Sequence, residues 1–250
     1  MLPDGHLAPL AAEDTQRLEN VLNDSNLSGT TRRQLLVRAA ATTAALSAIG
    51  PAAASAATSG DSPNTLTNQA TTIEALAVTL LTALLKNPPA GVSKFADILK
   101  ANITAEYDHY EALSVIGGRS MTDRFWIPDA YFEPANVFPT LEIAETLFVN
   151  LYLIATTVFT NHGSPTNARY AAETAGVEAQ HRVLTRFAQN KLPNNVGFGG
   201  YQLRSMSGII NAIQQTGVGL GTRGTKPGRY YTFAPPPADL TIHLTTSTPT

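Results

Sequence analysis

Glu106-Tyr107-Asp108-His109 and Glu178-Ala179-Gln180-His181 repeat one pattern, a glutamate followed three positions later by a histidine, and each lies in a helix-forming stretch. Residues three apart share a helix face, so each pair can offer one carboxylate oxygen and one imidazole nitrogen to the same ion. A lone glutamate with apolar neighbours precedes each pair, Glu74 before the first and Glu145 before the second. The separations are nearly equal, 32 residues from Glu74 to Glu106 and 33 from Glu145 to Glu178. The surroundings repeat as well: Ile73-Glu74-Ala75-Leu76-Ala77-Val78 aligns with Ala144-Glu145-Thr146-Leu147-Phe148-Val149, with Glu, Leu and Val at matching offsets. Two helical hairpins that each carry a Glu and then a Glu-x-x-His describe a two-metal carboxylate site inside a four-helix bundle. The competing reading is a metal-free polar core of hydrogen-bonded carboxylates and imidazoles. Four carboxylates at close range repel strongly without a cation, which favours the metal.

Four helices must position these groups. The first is expected from about Gln69 to Lys86, with Ala70, Glu74, Ala77, Leu81 and Leu84 on one stripe, ended by Asn87-Pro88-Pro89-Ala90-Gly91. The second follows a short turn, with Ser93 as its N-cap and Phe95, Leu99, Asn102, Glu106, His109 and Leu113 along one face, and Gly117-Gly118 stops it. A long, aromatic, proline-containing connection to about Phe138 is expected to cross from one end of the bundle to the other. The third helix runs from about Thr140 to Thr160 with Leu141, Glu145, Phe148, Tyr152 and Ala155 inward, and the fourth from about Thr166 to Gln189. Short, long, short is the loop order of a bundle with one crossover, in which the second and third helices run parallel.

Other polar residues divide by position. Glu142 shares a face with Glu145 and competes with it as a ligand; the internal repeat favours Glu145. Tyr152 lies two turns after Glu145 and is a candidate catalytic residue, able to hydrogen-bond a ligand carboxylate or to donate one electron near the metals, against the plainer role of a core tyrosine. Glu111, Glu173 and Asp108 read as solvated or supporting, and His6, His162 and His243 have no ligand partner in sequence. Gly219-Leu220-Gly221-Thr222-Arg223-Gly224 matches the dinucleotide fingerprint literally, but Pro227 stands where its helix should begin, so the stretch is expected to be a flexible loop.

Composition bounds the rest. With 43% hydrophobic and 14% charged residues in 250, the chain has a globular balance, and a net charge of -2 with no Lys/Arg cluster supplies no field for nucleic acid. The absence of cysteine excludes disulfides, thiolate nucleophiles and iron–sulfur clusters, so any metal must be held by carboxylates and imidazoles. Residues 1–56 read as a targeting segment: Thr31-Arg32-Arg33-Gln34-Leu35-Leu36 leads into the weakly apolar run Ala39 to Ile49, and Ala54-Ser55-Ala56 is a small-residue cleavage site. This resembles a twin-arginine export signal, which implies a periplasmic, envelope or extracellular destination. Its apolar run is too short and alanine-rich for a stable membrane span. Residues 57–67 are expected to be a flexible linker, 68–190 the bundle and 191–250 a loop-rich extension with a helical island near Ser205 to Gln215. Tyr230-Tyr231-Thr232-Phe233-Ala234-Pro235 could pack on the bundle or on a neighbouring subunit, which leaves room for a homo-oligomer.

Four stretches carry a family resemblance: Ala105-Glu106-Tyr107-Asp108-His109-Tyr110, Arg124-Phe125-Trp126-Ile127-Pro128-Asp129-Ala130, Ala144-Glu145-Thr146-Leu147-Phe148-Val149 and Ala175-Gly176-Val177-Glu178-Ala179-Gln180-His181-Arg182. In these the chain resembles the ferritin-like superfamily, and more narrowly the exported bacterial ferritin-like proteins related to desiccation-associated proteins. The resemblance implies an all-α, ferritin-like four-helix bundle. It also implies two iron ions, or alternatively manganese, held by Glu74, Glu106, His109, Glu145, Glu178 and His181, with Glu106 and Glu178 bridging. Two function classes follow. One is a di-iron or di-manganese oxidase acting with dioxygen or peroxide in stress protection, including manganese-dependent peroxide dismutation; the other is a non-catalytic structural or desiccation-protective envelope protein that retains the bundle.

Overall fold

The structure, a computed structural model, describes residues 61–197 and 202–244. The expected export signal, His6, the beginning of the expected linker and the end of the Thr/Ser/Pro run lie outside the described residues. The described part is mostly helical, with five α-helices: α1 Pro63–Lys86, α2 Ala96–Val115, α3 Val137–Asn161, α4 Pro165–Ala188 and α5 Met206–Gln215.

Local chemistry explains where each helix starts. The Ser62 hydroxyl oxygen accepts the Thr65 amide at 3.1 Å, and Pro63 occupies the first turn, where its missing N–H costs nothing. Helix α1 therefore begins inside the stretch expected to be linker, because a Ser-Pro pair that looks like loop composition is also a helix start. Pro165 likewise occupies the first turn of α4, without a side-chain cap from Ser164. A 3-10 turn takes Ser93–Phe95, so α2 begins at Ala96 and Ser93 does not act as its N-cap. Helix α2 ends as Gly117 turns to φ 97° and the Gly118 amide bonds the Leu113 carbonyl at 2.8 Å. The Gly118 backbone lies so close to Thr71 and Thr67 on α1 that a Cβ there would collide with both side chains.

Helix α1 packs along α2, and α3 along α4. The Phe95 and Phe138 rings meet edge to face at 5.0 Å near the starts of α2 and α3, and the His109 and Tyr152 rings lie 6.0 Å apart further along both. Helices α2 and α3 thus run in the same direction, as a long crossover between them requires. Leu66, Ile73, Leu81, Leu84, Leu99, Ile103, Leu151 and Ile154 are among the fully buried side chains of the core, each worth about 1.5–3 kcal/mol of burial. Helices α1 and α3 are long and apolar enough by length and composition to cross a membrane, although 72% and 61% of their apolar windows are buried inside the protein.

The crossover and the C-terminal extension hold more regular structure than the sequence suggests. Strand β1 (Arg124–Pro128) in the crossover is the centre of a three-stranded antiparallel sheet, flanked by β2 (Gly219–Leu220) and β3 (Gly228–Thr232). Its register pairs Phe125 with Leu220 on one side and Tyr231 on the other. Phe125 and Ile127 are fully buried, and the Trp126 indole donates to the Lys226 carbonyl at 2.9 Å. The stretch expected to be a flexible loop is therefore a strand and an ordered turn: a Cβ on Gly219 would collide with the Thr222 carbonyl oxygen. Helix α5 is the expected helical island, capped by Ser205, whose hydroxyl accepts the Gly208 amide at 3.2 Å. The Asn150 side-chain oxygen on α3 accepts the amides of Gln202 and Leu203, at 2.9 and 3.2 Å, and so ties the chain leading into α5 to the core.

Candidate metal centre

Each of the four long helices brings one or two polar side chains to a single interior point. Helix α1 supplies Glu74, α2 supplies Glu106 and His109, α3 supplies Glu145 and Tyr152, and α4 supplies Glu178 and His181. Glu74, Glu106 and Glu178 are 0% exposed and Glu145 is 2% exposed. Carboxylates removed from water to this extent cost several kcal/mol each unless they are paired, metal-bound or protonated. Helical spacing places them: Glu74, Leu81 and Leu84 fall on one buried stripe of α1, so the acid is carried inward by the residues that make the core.

The groups interlock across the helices. His181 Nδ1 lies 3.0 Å from Glu106 Oε1, 3.4 Å from Glu178 Oε2 and 3.8 Å from Glu145 Oε2. His109 Nδ1 lies 3.0 Å from Glu178 Oε1 and 3.5 Å from Glu106 Oε2. The Tyr152 hydroxyl donates a short hydrogen bond to Glu74 Oε1. Two four-residue groups result, Glu74 with Glu106, His109 and Glu178, and Glu106 with Glu145, Glu178 and His181; within each group, one ligand atom per residue lies within 4.8 Å of every other. Glu106 and Glu178 belong to both.

Protonation equilibria show how the cluster behaves with no cation. Burial pushes the Glu74 and Glu145 carboxyls well above the usual range; the negative charges of Glu106 and Glu178 add to this for Glu74, while His181 opposes it for Glu145. Burial alone would favour neutral His109, yet the adjacent Glu106 and Glu178 carboxylates outweigh it and raise the imidazole to about 9. His181 is raised for the same reason, by Glu106, Glu145 and Glu178. Burial also opposes ionisation of Glu106, but its two histidine partners win and hold that carboxyl well below the usual range. The Tyr152 phenol is pushed up by burial and by Glu74.

The donor set fits a cation on the geometry itself. Glu74 Oε2, Glu106 Oε2, Glu145 Oε2, both Glu178 oxygens and His109 Nδ1 are buried without a hydrogen-bond partner among the described residues. Native proteins leave few such atoms, and here they converge on one point and comprise acceptors and an imidazole nitrogen, the atoms that bind metal. Four carboxylates and two imidazoles, with no thiolate, suit iron, manganese or zinc.

The six expected ligands are thus brought together, and Tyr152 joins them through Glu74. Glu142 stands apart: it takes Arg186 and Lys191 as ion-pair partners, the latter at 2.8 Å, and the Gln189 amide at 2.9 Å. Burial would raise its carboxyl, but these three donors hold it below the usual range. His162 closes the end of α3 against the Val158 carbonyl at 2.8 Å, and His243 is exposed. Glu173 pairs with Arg169 at 3.3 Å on an exposed face. Two features escape a reading of the sequence. The clamp on Glu142 joins residues whose spacing carries no period, and Asn102, visible on the inward stripe of α2, is buried with its side-chain oxygen and nitrogen both unpartnered among the described residues.

No protein-family model, curated protein or solved structure matches this chain.

Proposed function

We propose that the chain is an exported ferritin-like protein whose interior cluster holds two iron ions and oxidises Fe(II) with dioxygen or peroxide, in protection against oxidative or desiccation stress. The observation that carries this reading is the sharing of Glu106 and Glu178 between two overlapping ligand groups. A single-ion site has no use for two carboxylates common to two sets of donors. The pairing of α1 with α2 and of α3 with α4, and the common direction of α2 and α3, support a four-helix bundle whose crossover contains β1. Their buried acids and interior packing support reading α1 and α3 as core helices. The paired arginines at Arg32 and Arg33 and the small residues Ala54-Ser55-Ala56 support export of the folded chain.

In this reading Glu106 and Glu178 bridge, Glu74 and His109 complete one set of donors, and Glu145 and His181 complete the other. A bound iron pair supplies two electrons to one oxidant molecule from one preorganised site. The carboxylates have unpartnered oxygens that would be available to a bound cation, while the Tyr152 hydroxyl holds Glu74 in place. The four metal-binding groups that hold protons in the free protein, Glu74, Glu145, His109 and His181, must give them up as cations enter. Manganese suits the same hard oxygen and imidazole donors, which keeps peroxide dismutation as the second reading.

Anaerobic loading with two equivalents of Fe(II), followed by air or peroxide, tests the oxidase. Oxidation is expected much faster than in buffer, and Glu106→Ala is expected to remove the fast phase while the helical signal is retained. Equal rates for the intact protein and the variant, despite two bound irons, would leave the manganese reading or a structural role.

A further inference from the structure

Asn102 on α2 is 1% exposed, and among the described residues neither its Oδ1 nor its Nδ2 has a hydrogen-bond partner. Buried amides are almost always partnered, because a desolvated donor and acceptor left empty oppose folding. Glu106 follows one turn later on the same face and His109 at the seventh position, so Asn102 lies on the helix face that carries the α2 carboxylate and imidazole, one turn before them. In the other direction along α2 the neighbours on the same face are apolar: Leu99 is buried and Phe95 packs edge to face on Phe138. A molecule that satisfies Asn102 is therefore expected on the side of the cluster.

We infer that Asn102 is a positioning residue that hydrogen-bonds a small ligand held at the metal centre, water or hydroxide at rest and a small anion in its place. The inference rests on the two-ion reading above. Its chemistry follows from what the other unpartnered atoms can do. The carboxylate oxygens of Glu74, Glu106, Glu145 and Glu178 only accept, and the histidine Nδ1 atoms serve that reading as metal ligands. The carboxamide adds a neutral donor, able to bond a coordinated anion, together with an acceptor for the proton of a coordinated water. An aspartate in its place would add a fifth negative charge, and an aliphatic residue would add no donor.

The test uses azide as the small anion and Co(II) as the spectroscopic metal, in native protein and in Asn102→Leu and Asn102→Ala, so that a folding failure of one variant leaves the other. Both variants, like the native protein, are expected to take up two Co(II) per chain. The azide dissociation constant read from the Co(II) absorption bands should rise about tenfold, the loss of one hydrogen bond. Metal-free Asn102→Leu should melt at or above the native temperature, since the substitution removes an unpartnered buried amide. Azide affinity within twofold of native in a variant that still takes up two Co(II) would overturn the inference and leave the two-ion reading standing. A native protein that takes up no Co(II) would bring down both.

Discussion

His181 Nδ1 on α4 lies 3.0 Å from Glu106 Oε1 on α2, and these two residues belong to different Glu-x-x-His elements. Each histidine thus reaches across to the carboxylate of the other pair, His109 to Glu178 at 3.0 Å in the reverse sense. The crossed arrangement makes Glu106 and Glu178 common to both halves, and it makes the cluster a sensor of pH in the absence of metal.

The metal-free protein should lose stability as pH rises. His109 carries a folded-state value of about 9 against 6.5 for a free imidazole, so its contribution is fully present below pH 6.5 and is lost as pH rises through 9. Raised Glu74 and Glu145 act in the same direction, since their neutral forms are the ones the fold favours. A decline on the order of 1–3 kcal/mol is expected between pH 6 and 9. Urea denaturation of chelator-treated protein across this range reads it directly. With metal in excess the slope should flatten or reverse, because ligands must be deprotonated to bind. A metal-free stability that rises with pH would refute the protonation pattern.

Tyr152→Phe should destabilise the metal-free protein by about 1–3 kcal/mol, because Glu74 loses, at a fully buried position, the one hydrogen-bond donor it has among the described residues. The penalty should shrink once metal engages Glu74. Denaturation curves with and without metal give both values, and an equal penalty in the two states would separate Tyr152 from the centre.

Glu142 and Glu145 are three residues apart on α3 and should behave in opposite ways. Glu142→Ala leaves Arg186 and Lys191 without their carboxylate and should cost about 2–4 kcal/mol while metal content is unchanged. Glu145→Ala should reduce metal uptake with a smaller effect on metal-free stability, since it removes a carboxyl that burial disfavours. Metal analysis alongside thermal melting separates the two, and loss of metal in Glu142→Ala would reverse the assignment.

Export should depend on the paired arginines. With Arg32 and Arg33 both replaced by lysine, the precursor is expected to stay uncleaved inside the cell, because an export pathway of this kind reads the guanidinium pair as an address. N-terminal sequencing of the substituted protein checks this, and a mature terminus near Ala57 would exclude the pathway.

The clustering of the candidate ligands was more legible in the sequence than the fold around it, for a physical reason. Glu106 with His109 and Glu178 with His181 are local pairs whose three-residue spacing has one meaning on a helix, and the repeated hairpin ties Glu74 and Glu145 to them. Helix ends were less legible, because Ser62-Pro63 has the composition of a linker and the chemistry of an N-terminus. Strand β1 was hidden for a different reason. Its residues Phe125 to Pro128 are all buried, so it shows no alternation, and its pairing partners are roughly a hundred residues away in a Gly/Pro-rich extension. The Glu142 clamp depends on where Lys191 falls after α4 ends, which no periodicity encodes.

Mn(II) titration followed by electron paramagnetic resonance tests the central claim, that two ions share Glu106 and Glu178. The native protein should bind two Mn(II) per chain, and the six-line signal of isolated ions should give way to that of a coupled pair as the second equivalent enters. His181→Ala should weaken one ion and leave a single uncoupled signal, whereas Glu178→Ala should impair both. Two uncoupled ions in the native protein, or the same trace of metal in native protein and both variants, would contradict the account.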